Sequence, residues 1–464
     1  MVMLKGKEII EMCGGVLLQG NPEQQILSFA IDSRLVRAGD FFIPFKGEHT
    51  DGHIHIAGAA ESGAAGAFHD KSVRPSDSIP ADFLLIGVDD TLQALQDLAA
   101  AYRRRFELPV IAITGSSGKT TTKDFTAGVL QAGFNILKTT GNLNNEIGLP
   151  LTILELEESH QVAVLEMGMS APGEITTLCE IAAPTIGVIT NIGEAHIELL
   201  GSIEAIAKAK GELLDYLGSG GVAVLNGDDP RLLKIGKRFP GKGFYYGFNQ
   251  GDIKGFSMSQ RGENHFFRVR FPNKSEGLFE VPLPGRESAS NALAALTVGY
   301  ILGLSLPQMQ EGLQKSEATA GRLQVLFTPK GIGVINDTYN ANPDSVRAAL
   351  KVLSELGGLN SVAVLGDMLE LGFAAHEAHS SIGRFAADCS IKYLVSVGEL
   401  AALAADEAEK AGVTVYRCNN HDQALEYLNE LSLDNKWYVL VKGSRGMRME
   451  KIVEKLISKG EAGS

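Results

Sequence analysis

One passage constrains this chain more than any other: Pro109 to Leu130, PVIAITGSSGKTTTKDFTAGVL. Val110–Ile113 is a short apolar run, rich in β-branched residues, of the kind buried on both faces of a parallel sheet. Gly115-Ser116-Ser117-Gly118-Lys119-Thr120-Thr121 follows at once, and a segment with helical periodicity comes after it. Strand, glycine loop, lysine–hydroxyl pair and helix, in that order, can grip a chain of phosphates. The backbone amides of the loop and the helix N-terminus face the anion, Lys119 adds a point charge, and the Thr120 hydroxyl reaches Mg²⁺. Two residues separate the glycines here, where the standard loop G-x-x-x-x-G-K-[ST] has four. The other reading is a Gly-Ser turn that happens to precede Lys-Thr; the strand before it and the helix after it argue against that.

At 464 residues the chain is too long for one core, and about three domains are expected. Hydrophobic residues make up 44% and charged residues 21%, the balance of an ordinary globular protein. The net charge of −13 opposes non-specific binding to nucleic acid or to an anionic membrane, while leaving room for a local polyphosphate site. Cys13, Cys179, Cys389 and Cys418 lie far apart with no C-x-x-C spacing, so neither a zinc site nor a disulfide framework is expected, and a reducing cytoplasm fits. The opening MVMLKGKEIIEMCGG reads as an amphipathic helix, not a signal peptide. No apolar run approaches the roughly 18 residues of a membrane span, and a monomer is expected.

Residues 1–90 read as a small α/β domain. In it Ser33, Arg34, Lys46, Asp51 and His53 lie on polar, glycine-punctuated stretches between apolar segments, where they could form a binding surface or a solvated turn. Thr91–Phe106 reads as a helix leading into the next domain. The Arg103-Arg104-Arg105 run at its end is expected to be a solvated terminus that complements the helix dipole.

Residues 91–318 alternate apolar strands with helical segments, the pattern of a parallel-sheet domain whose ligands gather at the carboxyl ends of strands. Glu166 ends the run Val162–Leu165, where an acid can hold Mg²⁺. His196 follows another strand and could be a metal ligand or a structural histidine. Asn142, Asn144 and Asn145 crowd one glycine-bounded loop with amide groups suited to substrate oxygens. Lys208 and Lys210 share the helix from Ser202 to Leu217; a lysine turned toward apolar neighbours can become reactive, but a snorkelling side chain is the simpler expectation. Asn291 lies in the first turns of a helix, where its amide could read an adenine edge.

Residues 319–464 alternate strands and helices again, as in a small doubly wound, Rossmann-like domain, though no G-x-G-x-x-G follows the first strand. Polar loops at its strand ends, including Asp337 to Asp344, suggest a cleft shared with the preceding domain.

Together these stretches resemble the Mur ligases, ATP-dependent amide-forming enzymes of cell-wall precursor assembly. The resemblance spans essentially the whole chain: DSR at 32–34, DGH at 51–53, TGSSGKTTTK at 114–123, TTGNLNNEIGLP at 139–150, EMGM at 166–169, NIGEAHIELLGS at 191–202, AKAKGE at 207–212, NALAAL at 291–296, GRLQ at 321–324, NDTYNANPDSVRAAL at 336–350, GDMLELG at 366–372 and VKGSR at 441–445. Within the family, YNANP at 339–343 is typical of the member that adds D-alanyl-D-alanine, and the D-N-P-R signature of the diamino-acid-adding member is absent from the last domain.

The resemblance implies a three-domain α/β chain: a small N-terminal domain for the UDP end of the substrate (Ser33, Arg34, Lys46, Asp51, His53), a central ATPase domain with the P-loop, and a C-terminal ligase domain. It implies ATP as co-substrate, with Lys119 and the loop at 115–121 on its phosphates, and Asn291, Arg322 and Asp337 on adenine, phosphate and ribose. Thr120 and Glu166 would hold one Mg²⁺. His196 and a carbamylated Lys210 would hold a second, the family pattern falling on Lys210 in preference to Lys208. Asn142, Asn144, Asn145, Tyr339, Asn340 and Asn342 would meet the substrates, a UDP-N-acetylmuramoyl-tripeptide and D-alanyl-D-alanine. The other readings are a folylpolyglutamate-type ligase, against which the first domain argues, and a non-catalytic ATP-binding module.

Overall fold

The computed structural model describes residues 4–47, 50–194, 197–261, 264–317 and 319–458. Three main sheets follow one another along the chain. The first has five strands. Val16–Gln19 runs antiparallel to Leu84–Val88, which continues in parallel to Gly66–Asp70, Asp40–Phe42 and Ser28–Ala30. Phe41, Phe68 and Ile86 are fully buried on it. Sequence periodicity misses Val16–Gln19, because Val16 and Leu17 are exposed and no inside–outside alternation marks the strand.

The helix expected as a linker, observed as Thr91–Arg103, is a packed joint. Leu95, Leu98 and Ala99 are fully buried in a cluster that runs continuously from the first sheet to the helices of the second. Asp90 caps its start by accepting from the amides of Leu92 and Gln93. The arginine run at its end departs from the solvated terminus expected. Arg103 is buried, and its guanidinium donates to the carbonyls of Ala182 at 2.9 Å, Phe106 at 2.6 Å and Leu108 at 3.1 Å. Five fixed donors suit it to tie off carbonyls at a junction between chain segments. Arg103→Ala leaves those acceptors without their donor and is expected to cost about 2–4 kcal/mol. A thermal melt should show the midpoint several degrees lower; an unchanged midpoint would contradict the structural role.

The central sheet has nine strands. Ile136–Lys138, Val162–Glu166, Val110–Thr114, Ile186–Ile189, Val222–Asn226, Lys242–Gly247 and Ile253–Arg261 are parallel neighbours in that order. The antiparallel Asn264–Arg270 and Glu276–Val281 complete the β-rich stretch expected near 243–284. Val110–Thr114 is a central strand, buried along its whole length. The chain first winds to one side of it and then crosses to the other, so the glycine loop at its carboxyl end sits at a topological switch point. Lys119–Gln131 packs with Arg286–Ile301 on one face, and Glu174–Ala182 packs with Ile203–Leu217 on the other.

The third sheet runs Gln324–Phe327, Gly333–Asp337, Tyr438–Lys442, Ser361–Gly366, Tyr393–Val397 and Thr414–Cys418. All its pairings are parallel except the first, and helices cover both faces, the doubly wound arrangement expected. Two contacts from the start of this unit reach back to the helix after the glycine loop. Thr319 donates to Asp124 through its amide at 3.1 Å and its hydroxyl at 2.7 Å, and Arg322 Nη2 donates to Thr120 Oγ1 at 3.1 Å. The third unit therefore closes over the carboxyl ends of the central strands.

Candidate active site

The glycine loop is held from below by the end of the neighbouring strand Ile186–Ile189. Asn191 accepts from the Ser117 amide through its side-chain oxygen at 2.9 Å. Its NH₂ donates to the Ser117 carbonyl at 3.1 Å and the Ser117 hydroxyl at 2.9 Å. Thr190 Oγ1 donates to the Ser117 carbonyl at 2.6 Å, and Ser116 Oγ receives the Gly193 amide at 2.8 Å. The amides of Ser116 and Ser117 are thus already satisfied from inside. The first helical amide with a carbonyl partner is that of Thr122, bonded to Gly118 at 2.9 Å, so those of Lys119, Thr120 and Thr121 stand ahead of it at the positive end of the helix.

Two loop positions require glycine. Gly118 caps the helix with φ +76°, and a Cβ there would lie 2.6 Å from Asn291 Oδ1. Gly115 has φ +152°, and a Cβ there would collide with the Thr190 hydroxyl. Asn291 therefore lies against the loop itself. Lys119 Nζ donates to the Gly115 carbonyl at 2.8 Å, bent back over the loop. Burial pushes its amine below the ordinary lysine range, against the pull of nearby Glu166 and with the push of Arg322.

The loop forms the floor of a cleft of about 860 Å³ between the central and third units. Ser116–Thr121, Asn144, Asn145, Glu166, Asn291, Arg322, Asp337, Tyr339, Asn340 and Asn342 all line it. Glu166 is 2% exposed. Its Oε1 accepts from Asn144 Nδ2 at 2.7 Å, while its Oε2 is buried with no hydrogen-bond partner among the described residues. An orphaned carboxylate oxygen near Lys119 and at the edge of the loop fits a hard cation. Among the described residues no three His, Cys, Asp or Glu side chains gather into a ready-made cage. A metal here would complete its shell with phosphate oxygens and water, as Mg²⁺ does.

The two lysines of the helix Ile203–Leu217 part company. Lys208 is exposed, whereas Lys210 is 1% exposed, which replaces the snorkelling arrangement expected of it. Burial holds Lys210 well below the ordinary lysine range, and the charge of Lys119 pushes it the same way. His196 lies outside the described residues.

Arg322 carries a buried Nε with no hydrogen-bond partner among the described residues. Its guanidinium carbon lies 4.0 Å from the centroid of the Tyr339 ring, which Arg445 approaches from 5.8 Å. Asp337 is engaged on both oxygens, by the Leu323 amide at 3.2 Å and by Lys442. Asn342 uses its oxygen to cap the helix Pro343–Gly357 through the Ser345 amide at 2.9 Å. Asn340 Oδ1 receives the Ala341 amide at 2.9 Å. Asn142 is exposed, and the cleft wall does not include it.

The N-terminal candidates form a separate polar cluster. Asp51 pairs with His53 Nδ1 at 2.6 Å, and His53 Nε2 is buried without a partner among the described residues. Lys46 pairs with Asp70 at 2.9 Å. Arg34, beside Ser33, pairs with Asp32 at 2.6 Å and projects into solvent.

Two functional positions carried no role in the sequence reading. Asn191 and Lys442 both follow or end strands at the cleft edge, and that position was the only signal. Lys442 is 2% exposed; burial lowers its pKa, with Asp337 opposing, and it also donates to the Asn340 carbonyl at 2.9 Å. Asn191→Ala removes three hydrogen bonds that shape the loop. It is expected to raise KM for ATP about 10-fold or more, measured by ADP release; an unchanged KM would show that the loop holds its shape without Asn191.

Three family models match the chain: Mur ligase family, catalytic domain, over residues 26–103; Mur ligase middle domain over 113–299; and Mur ligase, glutamate ligase domain over 321–445. The UDP-N-acetylmuramoyl-tripeptide–D-alanyl-D-alanine ligase of Bacillus subtilis is 39% identical over 457 residues, covering 97% of this chain and 98% of its own. A MurF crystal structure from Acinetobacter baumannii is similar with a TM-score of 0.90 and 32% identity, over 98% of this chain and 99% of that one. MurF ligase from Thermotoga maritima, in complex with ADP, is similar with a TM-score of 0.82 and 29% identity, over 93% of this chain and 98% of that one.

Proposed function

The chain belongs to the Mur ligase family, and on that premise we propose that it joins D-alanyl-D-alanine to the terminal carboxylate of a UDP-N-acetylmuramoyl-tripeptide at the expense of ATP. The substrate carboxylate attacks the γ-phosphorus of ATP, and ADP leaves. The dipeptide amine then attacks the carbonyl carbon of the acyl phosphate, forming the amide and releasing inorganic phosphate.

The first step needs alignment and charge neutralisation more than covalent help. The amides at the start of the helix, Lys119 and Arg322 orient the β- and γ-phosphates. Glu166 and Thr120 would hold Mg²⁺, which when bound supplies charge neutralisation on the phosphates. Lys210, buried with its ammonium form disfavoured, suits the formation of a carbamate on its amine, an oxygen ligand that a hard metal prefers; with His196 it would serve a second Mg²⁺. Asp337 and Lys442 fix the floor of the third unit beside Tyr339, and the N-terminal cluster around Asp51 and His53 would receive the UDP end. The observation that carries the reading is the meeting in one cleft of a phosphate-binding loop and an orphaned carboxylate oxygen, with the buried Lys210 near enough for the charge of Lys119 to act on it, in a chain similar over nearly its whole length to a ligase of this activity.

A phosphate-release assay tests the reading. Release is expected only when ATP, the UDP-linked tripeptide and D-alanyl-D-alanine are all present. Equal release without the two acceptors, as a nucleotide-switch module would give, or release driven by a folyl substrate, would overturn it.

A further inference from the structure

The reaction brings in a zwitterion. D-alanyl-D-alanine carries an ammonium, which becomes the nucleophile after giving up a proton to water, and a carboxylate that stays behind. The nucleotide grip uses Lys119 and Arg322, and Lys442 is committed to Asp337. None of these is left to pair with the acceptor's carboxylate.

The helix Pro343–Gly357 has one polar face on the cleft, carrying Asp344, Arg347 and Lys351. Spacings of three and four residues put these side chains on one stripe. Its N-terminal end abuts the phosphate loop: a Cβ built on Gly193 would lie 3.4 Å from Asp344 Cγ and 3.5 Å from Ser116 Cβ. Asp344 therefore stands beside the place where the acyl phosphate forms. One turn on, Arg347 is held by Ser381 Oγ, which receives its Nη2 at 2.9 Å, and its Nη1 is 3.7 Å from Asp344. Its side chain is 35% exposed and that of Asp344 47%, so both remain open to the cleft. A further turn on, Lys351 is exposed, its ammonium 5.9 Å from the Phe385 ring centroid.

The spacing matches the acceptor. Helical rise puts Arg347 about 4.5 Å and Lys351 about 10.5 Å beyond Asp344 along the axis. The two ends of an extended dipeptide lie roughly 7 Å apart, and those of a single amino acid roughly half that. With the ammonium beside Asp344, a dipeptide's carboxylate falls between the two cations, where a guanidinium fork and an ammonium can share it. A single amino acid stops short of Lys351.

On the functional reading above, we propose that Asp344, Arg347 and Lys351 form the acceptor subsite and measure its length: the acid meets the ammonium, and the two cations hold the carboxylate. These residues act on binding and orientation; they take no part in the phosphoryl transfer itself.

The test compares D-alanyl-D-alanine with its C-terminal carboxamide in the full-length enzyme. Wild type is expected to show KM for the carboxamide about 10–100-fold above that for the acid. Arg347→Ala with Lys351→Ala should raise KM for the acid to the carboxamide's value while leaving KM for ATP unchanged, which also reports an intact fold. Arg347→Lys, which keeps the charge and loses the fork, should fall between. A double variant that still discriminates acid from carboxamide, or a loss of discrimination produced instead by Arg231→Ala, at another arginine of the cleft wall, would overturn the subsite. Wild type that turns over neither acceptor would overturn the functional reading itself.

Discussion

Lys119→Ala is expected to lower ADP formation by about 10²–10³-fold or more, the cost typical of removing a preorganised electrostatic partner from a transition state. The lysine is bent over the loop with its amine on the Gly115 carbonyl, where it feels the charges of both Glu166 and Arg322. Removing it leaves the orientation of the phosphates to backbone amides alone, with Arg322 reaching in from the third unit. Burial disfavours its charge, and an incoming triphosphate favours the charged form that burial opposes. Single-turnover measurement of ADP should show the loss in the rate and not only in ATP affinity. A variant that keeps more than about one-tenth of the rate would remove Lys119 from the chemistry.

The second large effect concerns Lys210. Its neighbours are apolar residues of its own helix, such as Ile206 and Leu214, which are buried with it; burial disfavours its ammonium form, and the charge of Lys119 adds to that. A lysine that merely filled the core would be replaced by methionine at modest cost, since the stem volume is nearly kept. A lysine that becomes an anionic metal ligand would not. Lys210→Met and Lys210→Ala are both expected to lose about 10²–10³-fold in turnover, with normal thermal melts. A short carboxylic acid added to Lys210→Ala should restore part of the rate, because it can place an oxygen where the carbamate would stand. Near-normal turnover by Lys210→Met would reduce the residue to packing.

The P-loop strand, its helix and the alternating elements of the third unit could be read from local pattern. Val110–Thr114 and Gly333–Asp337 are short apolar runs bounded by turn residues, and those periodicities survive into the structure because both strands are buried on two faces. What could not be read depends on packing between residues far apart in sequence. Arg103 looks like part of a solvated triplet until Ala182 and Leu108 come within reach. Gln324–Phe327 pairs only along one edge, with Gly333–Asp337, and carries no strong alternation. At the site, residue types pointed to the loop and to Glu166, while the preference for Lys210 over Lys208 came from the resemblance to the family and not from the residues alone. Residue types did not reveal that Asn191 props the loop from a neighbouring strand, a role that rests on a partner more than 70 residues away. The commitment of the Asn342 oxygen is a local cap three residues off, which Asn before Pro at a helix start already signals.

The proposed reaction turns on a substrate carboxylate attacking the γ-phosphorus in this cleft. The most direct test labels that carboxylate with ¹⁸O and follows the label through one round of amide formation. When the amine displaces the acyl group, the attacking oxygen stays on phosphorus, so one labelled oxygen per turnover is expected in the inorganic phosphate. Phosphate that carries no label while the amide product forms would contradict the account.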